Sequence, residues 1–305
     1  MTLAILCPGQ GHQHSGMLGL FEHDSNAHAV LDDAADALGA DPRAWLREPA
    51  AIHRNRIAQP LICVVQVAAW RALRDRLPRV SAFAGYSVGE LASYGCADAL
   101  DTPDLCRLAQ ARARMMDDAN RADPGKLLAL HGVGIQELTA LCAGRDAWPA
   151  IVLGDTAFVV GGRVDAVDEL AQMARAHGAR VQCLSVGVAS HTVLLASAVA
   201  PFRAALEASH LRNPSIPAFA GIDASLVTRR SGAIDVLSRQ LAQRIEWTRV
   251  LQALHERGCR VFLELPPGTA LSRMIRNRFA DVEARAVDDF RSMEGIATWA
   301  RSRLA

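Results

Sequence analysis

The chain has 305 residues, half of them hydrophobic, with 33 basic and 32 acidic side chains and a net charge of +1. A chain this long buries roughly three quarters of its unfolded surface, in one large domain or a large domain carrying a smaller one, so no disulfide or metal staple is required. Charge this evenly mixed excludes the clustered basic excess of a nucleic-acid binder, and no apolar span reaches the ~20 residues that cross a membrane. Thr2 to Cys7 reads as a first strand and not a signal peptide, because it lacks a basic start and runs into Pro8. Seven dispersed cysteines, at 7, 63, 96, 106, 142, 183 and 259, form no C-x-x-C pair and read as reduced thiols of a cytoplasmic protein.

Pro8-Gly9-Gln10-Gly11-His12-Gln13 follows the first strand. The dinucleotide fingerprint fails there, with His14 where its third glycine belongs, and no P-loop lysine follows. The loop reads instead as backbone brought close to a bound acyl group. Helical patterns cover 26–39 and 42–47, and Gln59-Pro60 opens an amphipathic helix through Leu73, with proline near its first turn. Val80 to Ala84 is a strand, and helices are expected at 90–96 and 103–120. Ala122-Asp123-Pro124-Gly125 then breaks the pattern.

Between 126 and 186 the order is strand, helix, strand, strand, helix, strand: 126–131, 134–143, 150–153, 157–160, 164–177 and 180–186. That βαββαβ order describes a small ferredoxin-like α+β unit inserted into a larger domain, with joints near 122 and 188. Residues 1–122 and 188–305 would form the core and 123–187 the inserted subdomain. The chain returns through Ala189-Ser190-His191, a helix over 193–209, a strand at 218–220, and helices at 231–243 and 248–257. Val261 to Leu265 is a buried strand ending in Pro266-Pro267-Gly268, with a helix after it. This alternation predicts an α/β core, a mostly parallel sheet flanked by helices.

The chemistry centres on Gly85-Tyr86-Ser87-Val88-Gly89, a G-x-S-x-G elbow between strand and helix. A serine on so sharp a turn stands exposed, and glycines on either side remove side chains that would collide as the chain folds back. The N–H of Val88 and the positive end of the following helix face whatever the hydroxyl attacks. A serine hydroxyl needs a base. Ten histidines compete for that role; His191, following the small residues Ala189-Ser190, stands first, with His12 and His131 behind it.

Several ordered motifs resemble the malonyl-CoA:acyl carrier protein transacylase family. They are Pro8 to Gln13, Gln59-Pro60, Gly85 to Glu90, Ala111-Arg112-Ala113-Arg114, Ser190-His191, Glu246-Trp247 and Glu264-Leu265-Pro266-Pro267-Gly268. The resemblance covers nearly the whole chain and implies a hydrolase-like α/β core with a ferredoxin-like subdomain. It implies Ser87 as acyl-accepting nucleophile, His191 as its base, and a backbone carbonyl near Glu246 orienting the imidazole. The N–H groups of Gln10 and Val88 would form the oxyanion hole. Arg112 would hold the malonyl carboxylate, with Gln59, Tyr86 and Ser190 around the substrate. Taken by itself, Arg112 reads as a solvated helix arginine like Arg107 or Arg114. The implied substrate is malonyl-CoA, with no bound cofactor and no metal, and the implied partner is an acyl carrier protein.

Three departures from the family pattern stand out: Tyr86 for the usual histidine, Pro266-Pro267-Gly268 for Gly-Pro-Gly, and Gly154-Asp155-Thr156 for an asparagine-proline turn. Tyr86 with Val88 resembles the epsilon subunit of biotin-independent malonate decarboxylase, which loads malonyl onto that enzyme's own carrier subunit. The leading expectation is therefore that subunit, ahead of a housekeeping fatty-acid or polyketide transacylase. A serine thioesterase or esterase shares the elbow but would want an acid partner in Ser…Asp…His order. A non-catalytic carrier-docking subunit would not need Ser87 at all.

Overall fold

A computed structural model describes residues 1–184 and 186–304. The first strand, β1 (Thr2–Cys7), is buried from Leu3 onward, as an all-apolar run in the middle of a helix-covered sheet must be. Helices α1 (Ser25–Leu38), α2 (Pro42–Trp45) and α3 (Asn55–Leu73) follow. The Asp24 carboxylate accepts from Asn26 and Ala27 N–H to start α1, and Gly39, at φ 65°, ends it. The elbow lies between β2 (Val80–Gly85) and α4 (Val88–Cys96), and α5 (Thr102–Ala122) starts on an Asp101 cap.

The second unit contains β3 (Gly125–His131), α6 (Ile135–Cys142), β4 (Ala147–Gly154), β5 (Ala157–Arg163), α7 (Val164–Ala176) and β6 (Arg180–Cys183). Then come α8 (Ala196–Ala208), β7 (Ala218–Phe219), β8 (Leu226–Val227), α9 (Arg230–Arg239) and α10 (Trp247–Glu256). The chain closes with β9 (Cys259–Glu264), α11 (Ala270–Arg278), β10 (Glu283–Ala286) and α12 (Met293–Leu304). No helix among the described residues is long and apolar enough to cross a membrane.

Six strands form one sheet in the order β10-β9-β1-β2-β7-β8, parallel except for the β7–β8 edge. Helices flank it, giving the α/β core the alternation predicted. The remaining four form an antiparallel sheet, β4-β5-β3-β6, which is the ferredoxin-like order for the segment's own strands. Period-2 alternation explains why this small sheet is apolar on both sides. Leu128, Leu130, Phe158 and Val160 pack under Leu138, Leu141 and Leu170 of α6 and α7. Leu127, Ile151 and Val159 face the other way, joining Ala4, Leu6, Phe262 and Trp247 in a core shared with the large sheet. Main-chain bonds fasten the β4 edge of the small sheet to the loop between α9 and α10: Val152 N–H donates to the Ile245 carbonyl at 2.8 Å, and Ile245 N–H to the Ala150 carbonyl at 2.9 Å.

Several boundaries differ from expectation. α3 begins at Asn55, so Pro60 lies inside the helix and not near its first turn. The extra turn is held from outside, since Asn55 Nδ2 donates to the Ala113 carbonyl and to Asp117 on α5. α9 stops at Arg239 instead of 243, because the chain turns there to reach the β4 edge. β6 ends at Cys183, short of the expected 186, and Ser185 lies outside the described residues. The helix expected from 193 begins only at Ala196, and His191 sits in a loop before a 3₁₀ turn at Val193–Leu195. Strand β10 had no sequence signal, being four residues with alternating charge.

Candidate active site

Ser87 occupies the bend between β2 and α4 at φ 55°, ψ −119°, a backbone region that a side-chain-bearing residue seldom enters. The flanking glycines make the bend possible. A Cβ on Gly85 would lie 2.2 Å from the Glu90 backbone, and one on Gly89 would lie 2.0 Å from the Cys7 carbonyl oxygen. No side chain can be accommodated at those separations. Val88 is the first residue of α4, so its N–H has no partner within the helix.

Ser87 Oγ lies 2.9 Å from His191 Nε2. On the other side of the ring, Nδ1 lies 2.7 Å from the Gln240 carbonyl oxygen. That carbonyl can only accept, so Nδ1 carries the proton and Nε2 is left to take the serine's. The His191 N–H donates to Leu241 O at 2.8 Å, so ring and backbone are held by consecutive carbonyls, those of Gln240 and Leu241.

The orienting carbonyl corrects one sequence expectation. It belongs to Gln240, not to Glu246. Carbonyls at and just past a helix C-terminus have no intrahelical partner, and Gln240 follows directly on α9. Glu246 is engaged elsewhere: its N–H reaches the Gly221 carbonyl and its carboxylate pairs with Arg244.

Arg112 lies on the buried face of α5 at 1% exposure, so it is no solvated arginine; Arg107, by contrast, is exposed and paired with Asp104. Its Nη1 donates to Gln59 Oε1 at 2.8 Å and its Nη2 to Gln240 Oε1 at 3.1 Å. Among the described residues it pairs with no carboxylate. Burial lowers its pKa to about 10. Gln59, fully buried, is braced by Asn55 and Met116.

Gln240 thus touches base and cation alike. Its Nε2 donates to Glu90 Oε2 at 2.5 Å, and the same oxygen accepts from Gly221 N–H at 2.9 Å. Burial pushes the Glu90 carboxyl up to about 7. Sequence reasoning gave neither Gln240 nor Glu90 a role. Glu90 stood inside the quoted elbow motif, whereas Gln240 meets the imidazole through its main chain, for which no residue type is a signal, and meets Arg112 through a side chain brought from far along the sequence.

A cleft of about 550 Å³ runs beside the elbow, lined by the 8–13 loop, Tyr86, and Leu153, Val159 and Leu184 of the small sheet's side. Its size suits a small-molecule arm. Gln10 lines it, and the Tyr86 ring meets Trp247 edge-on at 5.3 Å. Ser190 is buried, its N–H bonded to the Val188 carbonyl, and no hydrogen bond among the described residues brings its side chain to Arg112 or Ser87. His12 also lines the cleft, and the His131 side of β3 is exposed; neither is the partner of Ser87. No cluster of three metal-ligating side chains occurs among the described residues.

Burial, and after it the Arg112 charge, pushes the His191 imidazole down to about 3, the Gln240 carbonyl pulling the other way. The sign favours catalysis: a lowered pKa keeps the ring neutral, hence basic, well into acid. Acylation of Ser87 by an uncharged acyl thioester should therefore stay within about twofold between pH 8 and pH 5. An ordinary imidazole would be only ~3% unprotonated at pH 5, a loss of about thirtyfold. Single-turnover acylation across that range checks it, and a tenfold decline would contradict a buried neutral base.

The acyl transferase domain model matches residues 5–303 of the chain. The malonyl CoA-acyl carrier protein transacylase of Mycobacterium bovis is 30% identical over 307 residues, spanning 97% of this chain and 99% of that protein. The crystal structure of FabD from Acinetobacter baumannii superimposes with a TM-score of 0.93 at 27% identity, covering 99% of each chain. A malonyl-transacylase solved in complex with its type II PKS acyl-carrier protein gives a TM-score of 0.92 at 25% identity, over 99% of this chain and 100% of that one.

Proposed function

The chain belongs to the acyl transferase domain family, and on that premise we propose that it moves malonyl from malonyl-CoA to the thiol of an acyl carrier protein through a malonyl-Ser87 ester. The observation that carries the malonyl part is Arg112: a buried guanidinium beside the Ser87–His191 pair, held by two neutral amide oxygens and, among the described residues, by no carboxylate. Two of its five N–H donors are taken, which leaves a fork for an incoming carboxylate. A buried unpaired cation is costly, and an acyl group bearing its own carboxylate relieves that cost.

In this reading His191 Nε2 takes the Ser87 proton as Oγ attacks the thioester carbonyl. The N–H groups of Val88 and Gln10 hold the oxyanion, a contribution of roughly 3–4 kcal/mol per donor in comparable sites. CoA leaves as its thiol, taking the proton back from His191. The carrier thiol then gives a proton to the ring, attacks the ester and restores Ser87. Gln59 braces Arg112, while Tyr86 and Ser190 shape the surroundings of the acyl group. The same reading takes 1–122 with 188–305 as the acyltransferase core and 123–187 as the inserted subdomain, in a cytoplasmic enzyme.

The carrier we favour is that of fatty-acid or polyketide synthesis, because the relatives in hand are malonyl CoA-acyl carrier protein transacylases. The malonate decarboxylase carrier is a second reading supported by one observation, Tyr86 with Val88 around the nucleophile. Incubation with labelled malonyl-CoA and each carrier in turn separates them. The expected result is label on the fatty-acid or polyketide carrier; label on the decarboxylase carrier alone would establish the second reading. Hydrolysis outpacing transfer in the presence of every carrier would make the protein a thioesterase.

A further inference from the structure

Glu90 is fully buried one helical turn from Ser87; its main-chain N–H donates to the Ser87 carbonyl, but among the described residues its carboxylate bonds neither Ser87 nor His191. Its Oε2 accepts from Gly221 N–H and from Gln240 Nε2, and its Oε1 has no partner among the described residues. A primary amide has nearly the same shape either way round, so nothing steric tells Gln240 which end to turn toward Arg112. The carboxylate does. With Nε2 held at 2.5 Å by Glu90, Oε1 must face Arg112 Nη2, at 3.1 Å. A flipped amide would set donors against the guanidinium and an acceptor against the carboxylate, losing both bonds.

We propose that Glu90 is a positioning residue for acyl-group selection: through the Gln240 amide it aims the Arg112 fork at the acyl carboxylate while standing too far off to occupy that fork. Direct contact would have filled the fork with a resident anion. One intervening amide leaves the donors free. Gln240's main chain is held separately, its N–H by Val236 O and its carbonyl by His191, so the base does not depend on the amide's orientation.

This inference rests on the reading of Arg112 as the malonyl clamp, and the test separates the two. Glu90→Met, Glu90→Gln and Arg112→Ala are compared for acylation of Ser87 by malonyl-CoA and by acetyl-CoA, with thermal melting to report folding. Glu90→Met, close in size but without an acceptor, should lose about 30-fold in malonyl kcat/KM, mainly through KM, with acetyl within about threefold. Glu90→Gln keeps an oxygen for both N–H groups and should stay within about threefold of the parent on both donors. Should Glu90→Met fail to fold, Gln240→Met must lower the malonyl-to-acetyl ratio in the same direction, whatever it does to the two rates together through the ring. Equal losses for both acyl groups, or Glu90→Gln as unselective as Glu90→Met, would overturn the proposal. Arg112→Ala with an unchanged malonyl-to-acetyl ratio would sink the clamp itself; a changed ratio there and an unchanged one in Glu90→Met sinks only the role of Glu90.

Discussion

Ser87→Ala is expected to abolish the malonyl-enzyme and to lower transfer by at least about 10⁴-fold, the scale on which removing a nucleophile silences a serine enzyme. The covalent step has no understudy. Alanine tolerates the bend at φ 55° no worse than serine does, so the variant should fold and melt close to the parent. Intact-mass measurement after mixing with malonyl-CoA is the direct check: the parent gains one malonyl unit and the variant gains none. Cys183 supplies an internal control, because it is the exposed thiol and lines the same cleft. A malonyl unit that persists in Ser87→Ala, or maps to Cys183 in the parent, would remove the serine from the mechanism.

Arg112→Ala should act selectively. Losing a buried charge-assisted pair costs about 3 kcal/mol, or about 100-fold in malonyl kcat/KM. Acetyl has no carboxylate to place and should be transferred as well as before, or better. The neutral Gln59 and Gln240 oxygens that now receive the guanidinium would be left to water, so a few degrees of melting temperature should be lost as well. Arg112→Lys keeps the charge but not the planar fork, and should recover only part of the malonyl rate. Equal loss for both acyl groups would mean that Arg112 merely supports the fold.

Much of this was legible in the chain. The elbow is a local device: spacing, small flanking residues and the strand-to-helix switch all lie within a few positions of Ser87. The small antiparallel unit was legible because its strands and helices differ in period. The burial of Arg112 was available too, since it falls in helical phase with Leu105, Leu108 and Met116, while Arg107 and Arg114 fall on the opposite face. Resemblance supplied its role, but phase alone would have separated it from its neighbours.

What escaped were features that exist only once distant segments meet. The partner of the imidazole is a main-chain oxygen, and every residue has one. Choosing Gln240 over the neighbourhood of Glu246 required knowing that α9 stops at Arg239, and it stops there because of a strand nearly ninety positions earlier in the chain. The early start of α3 has the same origin: Asn55 is held by Ala113 and Asp117, contacts invisible in the local apolar pattern. Strands of two to four residues, such as β8 and β10, exist by virtue of the edges they join.

The seam where Ile245 is bonded to β4 has a mechanical meaning. The small sheet is not a lid on a slack tether, because its outer strand is fastened to the same short stretch that carries the imidazole's acceptor. The stretch from Gln240 to Ile245 is thereby anchored at both ends, at one by the imidazole and at the other by the outer strand of the small sheet.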